Sequence, residues 1–373
     1  MPVYYFIFGW TVFWGCIANM TARRVSLGED KYRYKVNIFV AILAFSAVVI
    51  FAGFRTHVAD TSAYINMFND WPTGFSRINT LIKDSDNPGF IILGVFIKTY
   101  ISTDYTIWLF IIATITGVCM MIGFYRYSSN FALSSFLFIA TCNFTWMFNG
   151  MRQYLVVAIL FAFSNWIVEK KWIRYIILVL FLTTIHRTAI AMIAIYFIVN
   201  GEPWNKRTTV VILIVILCIV FAGNVLNLFD SVMMQSDYAI GYTQFKKSDD
   251  GVNIITIIIS AIPVVISYIF RKELSDRYTP IMKISTNMSI IAVCVYIISK
   301  ITNSGILVGR MAIYFTTYNL ILLPWLIETA FKSKEKLLMK YIMIICYLAL
   351  FYYQMEISFN GFGYISKILN MNY

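Results

Sequence analysis

Long apolar runs, separated by short polar and basic clusters, set the pattern of this chain. Runs near the roughly twenty residues that a helix needs to cross hydrocarbon occupy 3–21, 36–54, 105–124, 131–148, 208–229, 253–270, 281–299, 311–331 and 341–355. Shorter ones occupy 88–101, 153–168, 175–185 and 188–199. None shows the period-two alternation of an outer-membrane barrel, and helices are the only other structures that satisfy every backbone group in lipid. The pattern predicts an all-α fold, a polytopic transmembrane bundle of about 11–13 helices that includes short or re-entrant ones. Residues 1–373 are expected to form a single integral membrane domain, with no internal repeat or soluble domain.

Composition sharpens this reading. At 60% hydrophobic and 13% charged residues, the chain is more apolar than a soluble core of its length can bury. The first run has no basic residue before it and Arg23-Arg24 after it, the reverse of a cleavable signal, so it is expected to stay as a span.

Basic residues in short loops are retained in the cytoplasm. The clusters at 23–35, 170–174, 206–207, 271–283 and 332–340 are therefore placed inside, and the two long mixed loops, 55–87 and 230–252, outside. The net charge of +12 is then accounted for by topology and anionic lipid, and nucleic acid is not expected as a partner. The six cysteines lie singly inside apolar runs, which implies neither disulfides nor a metal centre.

Parity of crossings singles out one hairpin. With Arg174 and Arg207 both inside, the chain between them must go out and return through two short helices that meet at His186-Arg187. Short helices joined at membrane depth line a cavity, which makes this turn a site candidate. The segment 88–101 is re-entrant if Arg126 is inside, the preferred reading; otherwise it spans and the 131–148 region is broken.

Arg55, Arg152, Arg187 and Arg310 all fall on the side away from the lysine-rich loops. Such a cluster suits an anion carried by lipid, such as a pyrophosphate. Taken singly, Arg55 reads equally as a snorkelling anchor or a structural partner of Asp60, and Arg310, ahead of Tyr314 on one helical face, as an end anchor. Arg152-Gln153 opens a helix after Asn149-Gly150, where free amides add to the guanidinium. Lys98 and Lys300 are expected to snorkel, outer aromatics such as Trp71 are available to stack on sugar, and Asp84-Ser85-Asp86 reads as a solvated turn.

In order, the chain carries Arg-x4-Asp-x3-Tyr at Arg55, Asp60 and Tyr64, Met-Arg-Gln at 151–153, His-x-Thr-Ala at 186–189 and Arg-x3-Tyr at Arg310 and Tyr314. This series resembles Wzy-type O-antigen polymerases and the related EpsG-like exopolysaccharide polymerases, over about residues 50–320. Asn87 stands where that pattern would have an acidic residue before Pro88. The resemblance implies a multi-pass glycosyltransferase of the bacterial inner membrane with its site facing the periplasm and no cofactor. It would transfer a growing glycan from undecaprenyl pyrophosphate to the non-reducing end of a lipid-linked repeat unit, with inversion and without metal. Its partners would be the undecaprenyl-pyrophosphate-linked oligosaccharide, the bilayer and a chain-length-regulating co-polymerase. Arg152, Arg187 and Arg310 are assigned to the pyrophosphate, with Arg55 joining them or orienting Asp60, and Tyr64, Gln153 and Tyr314 complete the substrate-binding set. His186 and Asp60 are the candidate bases; His186 is preferred because imidazole titrates near neutrality. The alternatives are a membrane O-acyltransferase using His186 and a lipid-linked oligosaccharide flippase.

Overall fold

The computed structural model describes residues 2–26, 32–83, 85–234, 251–359 and 362–372. The fold is all-α; among the described residues there are two short antiparallel hairpins, β1 (Arg23–Ser26) with β2 (Tyr32–Lys35) and β3 (Ile365–Ser366) with β4 (Met371–Asn372). Among the described residues, four helices are long and apolar enough to cross a membrane, two bent helix pairs could each supply one more span, and seven shorter apolar helices accompany them. The chain divides into two compact units, Met1–Ile193 with Phe331–Tyr373, and Ala194–Ala330.

The first unit contains α1 (Pro2–Met20), α2 (Ile38–Gly53), α3 (Thr61–Asp70), α4 (Ile78–Ile82), α5 (Pro88–Tyr100), α6 (Tyr105–Tyr127), α7 (Phe131–Ala140), α8 (Met151–Ala162), α9 (Asn165–Val168) and α10 (Trp172–Thr183). Polar residues flanking the apolar runs begin several of them. Asn37, Asp104 and Asn130 accept from the amides of Phe39, Thr106 and Leu133, so each supplies an acceptor to an otherwise orphaned donor. α2 and α6 run antiparallel and close together because glycine opens the contact. A methyl group on Gly53 would lie 2.6 Å from the Phe110 ring, and one on Gly117 2.3 Å from Val49.

α6 and α8 are parallel: Arg126 and Tyr127, at the end of α6, both donate to the carbonyl of Ala162, which ends α8. The ends of α2 and α10 and the starts of α5, α6 and α8 therefore gather at one end of this unit, and Lys35, Arg126 and Lys170-Lys171 lie at the other. Because Phe54 stacks on Phe110 at 4.9 Å, the chain leaves α2 and enters α6 at the same end.

Several expected features take a different form. The 131–148 run is broken: α7 ends at Ala140, Cys142 takes a left-handed φ of 55°, and a 3-10 turn follows at Asn143–Met147. Thr141 and Thr145 return their hydroxyls to nearby carbonyls, which competes with helix continuation. The 55–87 loop contains two short helices, α3 and α4. Lys98 does not snorkel. Its ammonium takes the carbonyls of Phe68, Asn69 and Trp71 at 2.8, 2.8 and 2.5 Å, capping the negative end of α3. Trp71 is buried against Phe68, Phe90 and Trp108 and has no face for a sugar. Asp84 and most of the 230–252 loop lie outside the described residues.

α11 (Ala191–Val199) carries the chain across the boundary between the units. The second unit continues with α12 (Lys206–Val220), α13 (Ala222–Met234), α14 (Ile254–Ile269), α15 (Arg271–Leu274), α16 (Pro280–Ile301), α17 (Ile313–Thr316) and α18 (Asn319–Ala330). α16 is its centre, packed on α12 and α14, with Val215, Ile290 and Cys294 as a buried cluster. Buried Asn287 of α16 donates to the carbonyls of Val199 and Gly201, satisfying acceptors left open where α11 ends. Two apolar runs are broken here as well, by 93° between α12 and α13 and by 49° ahead of α18.

Candidate active site

Arg55 turns inward directly after α2 and is fully buried. Its Nε donates to the Thr61 hydroxyl at 2.9 Å, its Nη1 to the Ala52 carbonyl, and its Nη2 to the Met151 sulfur at 3.3 Å. The guanidinium also lies 5.8 Å from the centre of the Phe148 ring. Burial pushes this group down to about 10, against Tyr64, Tyr364, Asp60 and Tyr4, so it stays a cation at neutral pH. A buried charge persists only where partners replace water. Here those partners come from the end of α2, the start of α3 and the start of α8, which Arg55 ties together.

A second tie runs beside it. Asp60, the residue before α3, accepts from the Gly150 amide at 3.2 Å. Gly150 precedes α8 with φ +77°, a conformation that glycine adopts without a side-chain penalty. The carboxylate thus sits at the positive end of α8, two residues before Arg152.

Arg152 is half-buried, with its guanidinium 5.8 Å from the ring centres of both Tyr64 and Phe90. Those rings lie 6.3 Å apart and belong to an aromatic cluster with Phe68, Trp71 and Trp108. Gln153 is buried in the first turn of α8. Oriented to satisfy both ends of its amide, Asn87 donates to the Ile185 carbonyl at 3.1 Å and accepts from Arg152 Nη1 at 3.3 Å. Asn87 therefore joins Arg152 to the turn after α10.

That turn holds His186 and Arg187. His186 is half-buried and precedes the 3-10 turn Arg187–Ile190, while Arg187 is exposed and ion-paired with Asp86. The α5 start is fastened to the same turn by the Gly89 amide, which donates to the Thr184 carbonyl at 2.8 Å. Asp60, Tyr64, Arg152, Gln153, His186 and Arg187 thus share one end of the first unit, with Arg55 buried beneath them. Arg310 and Tyr314 belong to the second unit, Arg310 in the 3-10 turn Gly309–Ala312 and Tyr314 buried in α17.

Sequence reasoning missed three contributors. Asn87 registered only as a departure from an expected acid, Asp86 only as part of a solvated turn, and Phe90 as one apolar residue among many. Nothing in the spacing marks them, since each acts across about sixty to one hundred positions.

This arrangement offers fixed cations beside carboxylate and imidazole groups, at the end of a bundle of apolar helices. The class it defines is a multi-pass membrane protein with a cluster of polar and cationic side chains at one end of its first unit. The chain belongs to the EpsG family, whose model matches residues 38–369. No curated protein and no solved structure matches it.

Proposed function

We propose that this protein is a polysaccharide polymerase acting on polyprenyl-pyrophosphate-linked glycans. The observation that carries the reading is Arg152, bracketed by Tyr64 and Phe90 at the start of α8, beside Asp60 and joined through Asn87 to the His186-Arg187 turn. An acceptor sugar hydroxyl attacks the anomeric carbon of the donor glycan, and the bond from that carbon to the pyrophosphate oxygen breaks. The bonding pair leaves with the polyprenyl pyrophosphate, and the hydroxyl proton passes to a base.

Negative charge grows on the leaving group, so donors already fixed at that position stabilise the transition state more than the ground state. Arg152 and Arg187 take this role, because guanidinium stays charged and binds phosphate oxygens in pairs. Arg55, with all three of its nitrogens engaged inside the protein, acts as a positioning residue for α3 and α8. His186 is the preferred base; Asp60 is held by the α8 amide and orients that helix.

Purified protein supplied with a lipid-linked repeat unit is expected to yield a ladder of products, and a strain lacking the protein to accumulate glycan ended by one repeat unit. Absence of surface glycan altogether would point to a flippase, and full-length chains lacking acyl groups to an acyltransferase. Either outcome would overturn the proposal.

A further inference from the structure

We infer that the C-terminal strand is a working part of the site, with Tyr364 and Ile365 as positioning residues for the segment that carries Arg55 and Asp60. Residues 54–60 have no helix of their own, and Ala59 takes a left-handed φ of 45° that a non-glycine residue adopts only when its surroundings impose it. The imposing contacts come from the other end of the chain. The amides of Thr56 and His57 both donate to the Ile365 carbonyl, at 2.8 and 3.2 Å, and the Ile365 amide donates back to His57 at 3.1 Å. The Thr56 hydroxyl also donates to Ile365, at 3.0 Å.

Two side chains complete the strap. The Tyr364 hydroxyl donates to the Phe51 carbonyl at 3.0 Å, and the Ser366 hydroxyl to the Phe54 carbonyl at 2.5 Å. The Tyr364 ring packs on Phe51 and on Phe148, the same Phe148 that lies against Arg55. The strand is anchored in turn by Tyr4, whose hydroxyl donates to the Phe362 carbonyl at 2.9 Å. Without it, the amides of Thr56 and His57 lose these acceptors and the chamber of Arg55 loses one wall. The inward turn of Arg55 and the reach of Asp60 to Gly150 then rest on fewer constraints, and a loop less fixed in place orients its charges less well.

The inference rests on the proposed polymerase reading for its activity readout alone. Tyr364→Ala and Tyr364→Phe are compared with wild-type protein in two measurements, thiol labelling of a cysteine placed at Thr56 and ladder formation from a lipid-linked repeat unit. Tyr364→Ala is expected to label about tenfold faster and to turn over about tenfold more slowly, with an apparent KM within about twofold of wild type; Tyr364→Phe should fall between them. A His57→Cys/Ile365→Cys pair, oxidised in the Tyr364→Ala background, should restore turnover, and reduction should remove it again. Labelling and turnover both unchanged in Tyr364→Ala would overturn the inference, as would failure of the verified cross-link to restore turnover. If wild-type protein makes no ladder, the polymerase reading fails by itself and labelling alone decides the strap.

Discussion

Asp60 accepts a hydrogen bond from the amide of Gly150, ninety positions further along the chain, at 3.2 Å. This contact sets the start of α3 against the start of α8, and so fixes where Arg152 emerges. It gives Asp60 an orienting role that can be separated from proton transfer. Asp60→Asn keeps an acceptor for the amide, and Asp60→Ala removes it. We expect Asp60→Asn to retain polymerisation within about tenfold of wild type and Asp60→Ala to lose about a hundredfold. Equal, large losses in both variants would transfer the role of base from His186 to Asp60.

Arg152 combines charge with a planar donor array. Arg152→Lys keeps the charge but not the paired geometry, and it also loses the flat face set against Tyr64 and Phe90. We expect ladder formation to fall about a hundredfold in Arg152→Lys and to be lost in Arg152→Ala, with normal protein levels in the membrane. A lysine variant as active as wild type would show that charge alone suffices.

Arg55 should behave differently from Arg152. Its burial and its ties to Ala52, Thr61 and Met151 make it part of the framework. Arg55→Ala should destabilise the fold by about 2–5 kcal/mol, visible as a lower unfolding temperature in detergent, whereas Arg152→Ala should unfold close to wild type. Matching unfolding temperatures for the two variants would remove this distinction.

The ion pair between Arg187 and Asp86 is nearly half exposed on both sides. A diphosphate that recruits Arg187 competes with Asp86 for it. Exposed pairs contribute up to about 1 kcal/mol, so Asp86→Asn should lower the apparent KM for the lipid-linked substrate by about fivefold or less. The difference should shrink as salt is raised, because added ions screen exposed charges. A higher KM in Asp86→Asn would mean that the pair orders the turn for substrate.

Gly94 faces Trp71 so closely that an added methyl group would lie 1.8 Å from the indole ring. Gly94→Ala should displace Trp71 and the cluster behind Tyr64 and Phe90, costing about 1–3 kcal/mol. Thermal unfolding tests the stability, and the ladder assay tests whether displacement reaches Arg152.

The hydropathy pattern made the all-α class legible, and the charge pattern told the two ends of the first unit apart. Lys35, Arg126 and Lys170-Lys171 lie at one end and Arg55, Arg152 and Arg187 at the other. Motif order located the residues around Asp60, Arg152 and His186. The break at Cys142 was not legible, because threonine back-bonding and a left-handed residue interrupt a helix without interrupting its hydrophobicity, and the bend at Phe221 likewise leaves the apolar run intact. Lys98 misled for a similar reason: a lysine near a helix end reads as snorkelling unless the carbonyls it caps, on a different helix, are known.

By itself, then, the sequence determined the class of protein, its apolar segments and the order of its charged residues along them. Those properties are local sums of side-chain transfer energies and charges, and they survive without knowledge of the fold. Only the tertiary structure decided which arginine is buried framework and which stays partly exposed, that Asn87 joins Arg152 to the turn after α10, and that Tyr364 walls the chamber of Arg55. Burial and hydrogen bonding at these positions depend on partners more than three hundred residues away, and no spacing within a single segment encodes them.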